Sequence, residues 1–208
     1  VKPQLFYLFW VGLILWVISR RRWKVLAGLL LTLSAALAAS LAFNPHLLAD
    51  YLGLFTQYSP VAWLTPTLGL LLRLVFGLEK FWLQYLPSLV GVAWFTWYWQ
   101  RHGKDWVWKD EAPLLVFVSL MTTPYGWTYD QVLLMVALIP AWFKIVETRS
   151  RSQAVLLLSP LWILNLAYLL LHRYYPDQYF IWFAPALFLW WWMIDKSSNV
   201  PNSEVVAS

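Results

Sequence analysis

The sequence predicts an all-α membrane protein, a multi-pass transmembrane helical bundle with about seven spans. Hydrophobic residues make up 61% of the 208 residues and charged residues only 12%, whereas roughly 25% are charged in soluble domains. The 17 Trp residues are of the amphipathic type that is enriched where a bilayer meets water. A single core of this size cannot bury so much apolar surface, so we expect the lipid bilayer to be the solvent.

Seven apolar stretches are the predicted spans. They cover residues 5–19, 25–43, 81–99, 112–129, 130–143, 154–171 and 179–194. Several are shorter than the roughly 20 residues that cross a hydrocarbon core, and their aromatic flanks extend them into the interface. Residues 1–194 form one predicted transmembrane domain, and a disordered cytoplasmic tail is expected over residues 195–208.

The distribution of positive charge predicts the orientation. If successive loops alternate between two sides, four of the 15 Lys and Arg residues lie on one side, namely Lys2, Arg73, Lys80 and Arg173. The remaining 11 lie on the other side (15 − 4 = 11), which the positive-inside rule places in the cytoplasm. The loops 44–80, 122–131 and 172–178 then face outward from an inner or plasma membrane.

The outer loop 44–80 contains an apolar stretch, residues 61–76, that has two interpretations. Counted as a span, this stretch inverts every later loop and places Arg101, Lys104 and Lys109 outside, against the positive-inside rule. We therefore expect an interfacial or re-entrant helix on the outer surface, with Arg73 and Lys80 at the lipid headgroups.

The break at residues 122–131, Thr-Thr-Pro-Tyr-Gly-Trp-Thr-Tyr-Asp-Gln, is the most informative stretch of the chain. Pro124 and Gly126 interrupt two apolar runs, and aromatic rings with one carboxylate, Asp130, lie at the interruption. Two interpretations of Asp130 are open. It belongs to a working site, or it caps free N–H groups at the start of the next helix.

Three further candidates on the outward side are basic residues, Arg73, His172 and Arg173. Arginine binds phosphate oxygens with a bidentate fork, and an acid at the same level can act as a general base toward a hydroxyl. For His172 and Arg173, snorkelling to the headgroups is the favoured alternative. A cation within an apolar run, such as Arg73, is expected to have an acid or a lipid phosphate as its partner.

Several kinds of site are excluded. The chain has no Cys, and none of its three His is spaced i, i+3 or i+4 from another, so no Cys metal site and no His pair on one helix can form. Gly-rich phosphate loops, His-Glu-x-x-His and Ser elbows are absent. The basic loop 20–24 is too short and too close to the bilayer for nucleic acid. We expect no metal, no cofactor and no nucleic-acid partner, and membrane lipids as partners.

Two motifs in order resemble the family-87 glycosyltransferases. The first is Lys2-Pro3-Gln4, an apolar run, Arg21-Arg22-Trp23 and a second apolar run. The second, residues 123–130 followed by Val132-Leu133-Leu134 and Pro140, is similar to that family's Ser/Thr-Pro…Asp…Leu-Leu-x-Pro pattern. The resemblance extends to about Phe143 and implies a GT-C type membrane enzyme. Such an enzyme moves a hexose, often mannose, from a polyprenyl-phosphate donor to a lipid or glycan acceptor on the outer face.

The family resemblance and the charge pattern both point to the same outward-facing surface as the working site. The candidates for substrate or donor binding are Asp130, Tyr125, Trp127, Tyr129, Arg73, His172 and Arg173. The family places its main catalytic acid in an outer loop that would lie upstream of Val1, so the catalytic residue is expected outside this sequence. The first residues, Val-Lys-Pro-Gln without Met, likewise lead us to expect the C-terminal portion of a larger protein.

Two other functions stay open. A transporter or flippase also uses spans broken by Pro and Gly, but it predicts ionisable residues in mid-span, where only Asn165 and Gln84 are polar here. A non-catalytic membrane scaffold predicts that Asp130 is a cap and nothing more.

Overall fold

A computed structural model describes residues 2–57 and 63–197, and this part of the chain is helical, without a β-strand. Its α-helices are α1 (Tyr7–Arg20), α2 (Trp23–Phe43), α3 (Leu47–Gln57), α4 (Leu68–Phe76), α5 (Leu86–His102), α6 (Trp108–Thr122), α7 (Met135–Thr148), α8 (Arg151–His172) and α9 (Phe183–Ser197). Short 3-10 segments lead into α1, α5, α7 and α9. The predicted all-α class is confirmed for the described residues.

Four helical stretches among the described residues are long and apolar enough to cross a membrane. They are Pro3–Arg20, Trp23–Phe43, Thr128–Thr148 and Arg151–His172. At the other three predicted spans lie α5, α6 and α9, with 17, 15 and 15 residues, which is less than the roughly 20 residues of a full span. The fold is therefore consistent with a membrane protein, but the predicted count of seven spans is not confirmed.

Helix α6 lies at the centre of the bundle and packs against α1, α5, α7 and α9. Its residue Leu115 is fully buried and forms one apolar cluster with Leu8 of α1 and Phe95 of α5. Phe117, two residues further on, packs against Trp191 of α9, with 5.3 Å between the ring centroids. Because α6 is apolar around most of its circumference, it is suited to this buried position.

Helix α2 lies at the periphery, where it packs against α1. None of its 21 residues is buried, and Leu31 and Phe43 are 72% and 93% exposed. An exposed helix of such uniform hydrophobicity is expected to face lipid.

The predicted interfacial helix is represented among the described residues by α4, Leu68–Phe76. Nine residues extend over about 14 Å, less than half of a hydrocarbon core of about 30 Å. Helix α4 therefore cannot cross a membrane alone, although residues 58–62 lie outside the described part. Gly69 lets α4 pack closely, because a Cβ there would lie 2.5 Å from the backbone oxygen of Gln84.

Contacts group the loops at two ends of the bundle. At the first end, here the break end, Lys2 contacts Asp130 of the break, and the break contacts Asp177 of the loop after α8. At the second end, here the basic end, Arg20 donates a hydrogen bond to the backbone oxygen of Lys104. Loops that the charge pattern assigns to one side thus lie together. Helix α9 continues to Ser197, beyond the predicted boundary at 194, and residues 198–208 of the predicted tail lie outside the described residues.

Candidate functional site

The break between α6 and α7 is built by Pro124 and Gly126. Pro124 cannot supply the N–H that would continue α6, and Thr123 donates its hydroxyl to the backbone oxygen of Gln4 at 3.2 Å. A Cβ on Gly126 would lie 3.3 Å from the side chains of Leu5 and Thr123. The small residue lets the N-terminal segment pack against the break, which brings Lys2 to the same place.

Asp130 is only 7% exposed, and its carboxylate accepts hydrogen bonds from two partners. The Lys2 ammonium lies 2.8 Å from Oδ2 and 3.0 Å from Oδ1, and the Trp127 N–H donates to Oδ2 at 2.8 Å. Lys2 also donates to the Tyr129 hydroxyl at 3.0 Å. Asp130 therefore caps the 3-10 turn Thr128–Leu134 and holds a cation at once.

The surroundings of Lys2 change the pKa of its ammonium. Burial lowers the pKa of Lys2, but the hydrogen bonds to Asp130 and Tyr129 and the charge of Asp130 outweigh it and raise the pKa above the ordinary 10.5. Lys2 is thus a stable ammonium at neutral pH and fixes a positive charge beside the break.

A second carboxylate, Asp177, joins the break to the loop after α8. The Thr128 hydroxyl donates to Asp177 Oδ1 at 2.7 Å, and the Thr128 N–H donates to Oδ2 at 3.4 Å. The Nδ1 atom of His172 lies 3.5 Å from Oδ1, and the His172 ring stacks on Tyr168 with 5.1 Å between centroids. A half-buried carboxylate that contacts a hydroxyl and an imidazole can accept a proton and hold a hydroxyl of a substrate.

Arg73 is 2% exposed and lies inside the protein, so its side chain is shielded from lipid headgroups, and its depth in the membrane stays a prediction. Its Nε and Nη2 donate to the Leu78 carbonyl at 3.0 and 2.7 Å, and its Nη1 donates to Gln84 Oε1 at 3.2 Å. Gln84 in turn donates to the Thr67 hydroxyl at 3.1 Å and to the Pro124 carbonyl. The guanidinium therefore supports the start of the break from the interior.

The chain reversal after α4 explains this burial of the Arg73 side chain. Gly77 has a φ of 127°, a conformation that favours glycine, and it turns the chain so that the Leu78 carbonyl comes back to the guanidinium. Phe81 then lies over the same group, with 5.4 Å from its ring centroid to the Arg73 Cζ.

The three aromatic candidates of the break have different surroundings. The Tyr125 ring meets Trp63 and Tyr85 edge to face, with centroids 5.5 and 6.5 Å apart. The Trp127 and Tyr129 rings are stacked, 6.4 Å apart with 7° between their planes. Tyr129 is 62% exposed. A stacked aromatic pair at a surface offers a flat apolar face with a polar edge, which suits a sugar ring or a lipid headgroup.

Contacts connect six of the seven candidates at the break end. Gln84 links Arg73 to the break, and Thr128 links the break to the Asp177–His172 pair. Arg173 is exposed at the end of α8 and makes no side-chain hydrogen bond or ion pair in the part of the chain that the structure describes. Snorkelling remains compatible with this position of Arg173.

Three residues that contribute to the site were not among the candidates that the sequence indicated. They are Asp177, Thr128 and Lys2, which is the partner of Asp130. Opposite charge on one predicted side was a signal for Lys2 and Asp130. Thr128 and Asp177 are 49 positions apart, and nothing in either local sequence marks them as partners. Gln84 was recognised as polar at depth, and its role as the amide between Arg73 and the break is visible only in three dimensions.

Within residues 2–57 and 63–197, no group of three or more His, Asp or Glu side chains is placed to hold a metal ion. In comparisons with known proteins, no protein-family model, no curated protein and no solved structure matches the chain.

Proposed function

We propose that this chain is the C-terminal part of an integral membrane glycosyltransferase. The enzyme moves a hexose, such as mannose, from a polyprenyl-phosphate donor to a lipid or glycan acceptor on the outer face of a cell membrane. The observation that carries the proposal is the polar network at the break end. There, Asp177, Thr128 and His172 lie in contact and are joined through the break to the Lys2–Asp130 pair.

The reaction makes defined demands on such a site. The acceptor hydroxyl oxygen forms a bond to the anomeric carbon while the bond from that carbon to the donor phosphate oxygen breaks. The polyprenyl phosphate leaves with the electron pair, and the hydroxyl proton passes to a base. A cation beside the leaving phosphate stabilises its charge, and a carboxylate or imidazole within hydrogen-bond reach receives the proton.

Asp177 and His172 are better placed to hold the acceptor hydroxyl than Asp130 is. Both oxygens of Asp130 accept hydrogen bonds from Lys2, and one also accepts the Trp127 N–H. The Asp177–His172 pair is more accessible, with 13% and 45% of the two side chains exposed. We assign to this pair the binding of the acceptor hydroxyl, and the main catalytic acid to an outer loop upstream of Val1.

An exposed residue, Arg173, can supply the cation beside the leaving phosphate. Arg173 follows His172 directly and is exposed, so a phosphate can reach its bidentate fork. The stacked Trp127–Tyr129 pair supplies an aromatic face for the sugar or for the first isoprenoid unit of the donor.

Transport is the second function considered, and the described spans give it little support. In the four candidate spans, every charged residue lies within the first or last five positions. Asn165 of α8 donates to the Leu161 carbonyl of its own helix at 2.8 Å. A substrate route through the membrane needs polar groups at mid-depth, and these helices do not supply an ionisable one.

The test measures transfer of radiolabelled mannose from polyprenyl-phosphate mannose in membranes that contain the full-length protein. Asp177→Asn is compared with Asp105→Asn, a matched change at an exposed residue of the basic end. We expect Asp177→Asn to lower the transfer rate by about tenfold or more, the effect of losing one charge-assisted hydrogen bond to the acceptor hydroxyl, and Asp105→Asn to leave it unchanged. Normal transfer by Asp177→Asn, or no transfer by the wild-type enzyme with any hexose donor, contradicts the proposal.

A further inference from the structure

A cavity of about 650 Å³ lies at the basic end, between α6, α7 and α9. This volume is in the range of about 300–1,000 Å³ that small-molecule sites occupy. Apolar side chains line it, among them Ala137, Ala141 and Trp191. The same lining includes five charged residues, Lys109, Asp110, Lys144, Glu147 and Asp195.

None of these five residues forms an ion pair with another in the part of the chain that the structure describes. Lys144 and Asp195 are half-buried and the other three are exposed. In the described residues the ion pairs are Lys2–Asp130 and His172–Asp177, and neither involves the cavity. Two cations and three acids therefore surround one cavity without being paired across it.

Local helix stability does not explain three of these charges. Glu147 lies in the last turn of α7 and Asp195 in the last turn of α9, where the negative end of a helix disfavours an acid. Lys109 lies in the first turn of α6, where the positive end disfavours a cation. Each of these three charges adds to the potential of its helix end. Acids thus lie at the ends of α7 and α9, whereas the α6 end of the cavity carries both Lys109 and Asp110.

Two further features fit an occupant with an anion and an ammonium. Lys144 lies among the lining residues of α7 and adds a second cation for the anion. Glu147 and Asp195 offer two carboxylates at the cavity, which accept hydrogen bonds from a primary ammonium, whereas a quaternary ammonium has no N–H to donate.

We propose that this cavity binds the headgroup of a phospholipid that carries a primary amine, as in phosphatidylethanolamine. The phosphate lies against Lys109 and Lys144, and the ammonium lies against Glu147 and Asp195. A lipid is the occupant rather than a soluble zwitterion, because α7 is the last part of a candidate membrane span. Its final turn therefore comes to the depth of the headgroups. This inference does not depend on the proposed transferase activity.

The first experiment measures lipid binding to the purified full chain by native mass spectrometry. Phosphatidylethanolamine, phosphatidylcholine and phosphatidylglycerol with identical acyl chains are titrated separately, together with soluble phosphoethanolamine. We expect the ethanolamine lipid to bind about tenfold more tightly than the other two lipids, a difference that one charge-assisted hydrogen bond can supply. Equal binding of the three lipids overturns the proposal, and so does phosphoethanolamine binding as tightly as the lipid.

The second experiment compares two cavity variants with a matched control. Lys144→Met removes a phosphate contact, and Glu147→Gln removes an ammonium contact. Lys24→Met changes an exposed lysine at the start of α2, outside the cavity. We expect each cavity variant to bind phosphatidylethanolamine about fivefold or more weakly, and Glu147→Gln to lose the preference over phosphatidylcholine. Unchanged binding in both cavity variants, or an equal loss in Lys24→Met, overturns the proposal.

Discussion

The Lys2 ammonium lies 2.8 and 3.0 Å from the two carboxylate oxygens of Asp130, a residue 128 positions further along the chain. The contact fastens the segment before α1 to the turn before α7. Because Asp130 also accepts the Trp127 N–H, the same carboxylate sets the shape of the break and its connection to the N-terminal segment.

Removal of the Lys2 ammonium is expected to destabilise the fold. Lys2→Met leaves the Asp130 carboxylate, 8% exposed as a side chain, without its cation. We expect a loss of about 1–3 kcal/mol of unfolding free energy, measured by denaturant unfolding in detergent micelles. Lys24→Met at an exposed position is the control, and equal stabilities of the two variants contradict the expectation.

The same pair predicts a pH dependence in the alkaline range. The folded pKa of Lys2 is raised above its ordinary value of 10.5, so its contribution to stability is complete below that pH. The contribution is lost as the pH rises through the folded pKa. We expect the stability difference between wild type and Lys2→Met to shrink above pH 10.5. Thermal unfolding of both proteins over a range of pH measures this difference. A difference that stays constant or grows with pH over this window would refute the linkage.

Gly91 of α5 is expected to tolerate no side chain. A Cβ there collides with the Tyr7 hydroxyl and lies 2.9 Å from Thr122 Oγ1, at the point where these two hydroxyls bond at 2.7 Å. We expect Gly91→Ala to cost about 1–3 kcal/mol through overpacking. Gly28→Ala in α2 is the matched control, since nothing lies within 4 Å of its Cβ. Thermal unfolding of both variants measures the effect. A Gly91→Ala variant that is as stable as the wild type would disprove the close packing.

Arg73 is expected to be irreplaceable by lysine. Its fork donates to the Leu78 carbonyl through two nitrogens and to Gln84 through a third, and an ammonium on a flexible stem cannot reproduce this geometry. We expect Arg73→Lys to lower stability by about 2–4 kcal/mol, because buried polar groups lose their partners. The exposed Lys80→Arg serves as the control. Wild-type stability of Arg73→Lys would show that the charge alone is sufficient.

The elements that local hydrophobicity specifies could be predicted from the sequence. The apolar runs 25–43 and 154–171 lie within α2 and α8, since a long apolar run needs no distant residue to become a helix in lipid. The predicted start of the span 81–99 was less accurate. A 3-10 turn at Phe81–Gln84 precedes α5, and its Gln84 is held by Thr67 and Pro124, which no local pattern reveals.

In the candidate site, too, local features could be predicted from the sequence, whereas contacts with distant residues could not. The capping role of Asp130 follows from its place within the break, just before the next apolar run, and the structure shows the corresponding bond from the Trp127 N–H. The cation that neutralises Asp130 comes from the other end of the chain, so no spacing rule indicates it. Arg73 was expected at the headgroups because residues 61–76 were interpreted as an interfacial helix, but the turn at Gly77, with its positive φ, returns a carbonyl to it. Together with Gln84 and Phe81, this carbonyl surrounds the guanidinium inside the protein.

The peripheral position of α2 has a consequence for tolerance to substitution. None of its residues is buried, so few neighbouring side chains constrain the shape of a replacement, and the surrounding lipid constrains mainly its polarity. Exchanges among Ala, Leu, Ile and Val along α2 are therefore expected to be nearly silent. Replacement by Ala of Phe95 or Leu134, which are fully buried, leaves a cavity that costs stability. The chain thus contains an exposed helix whose sequence can vary within an apolar composition, and buried positions whose residues are fixed by packing.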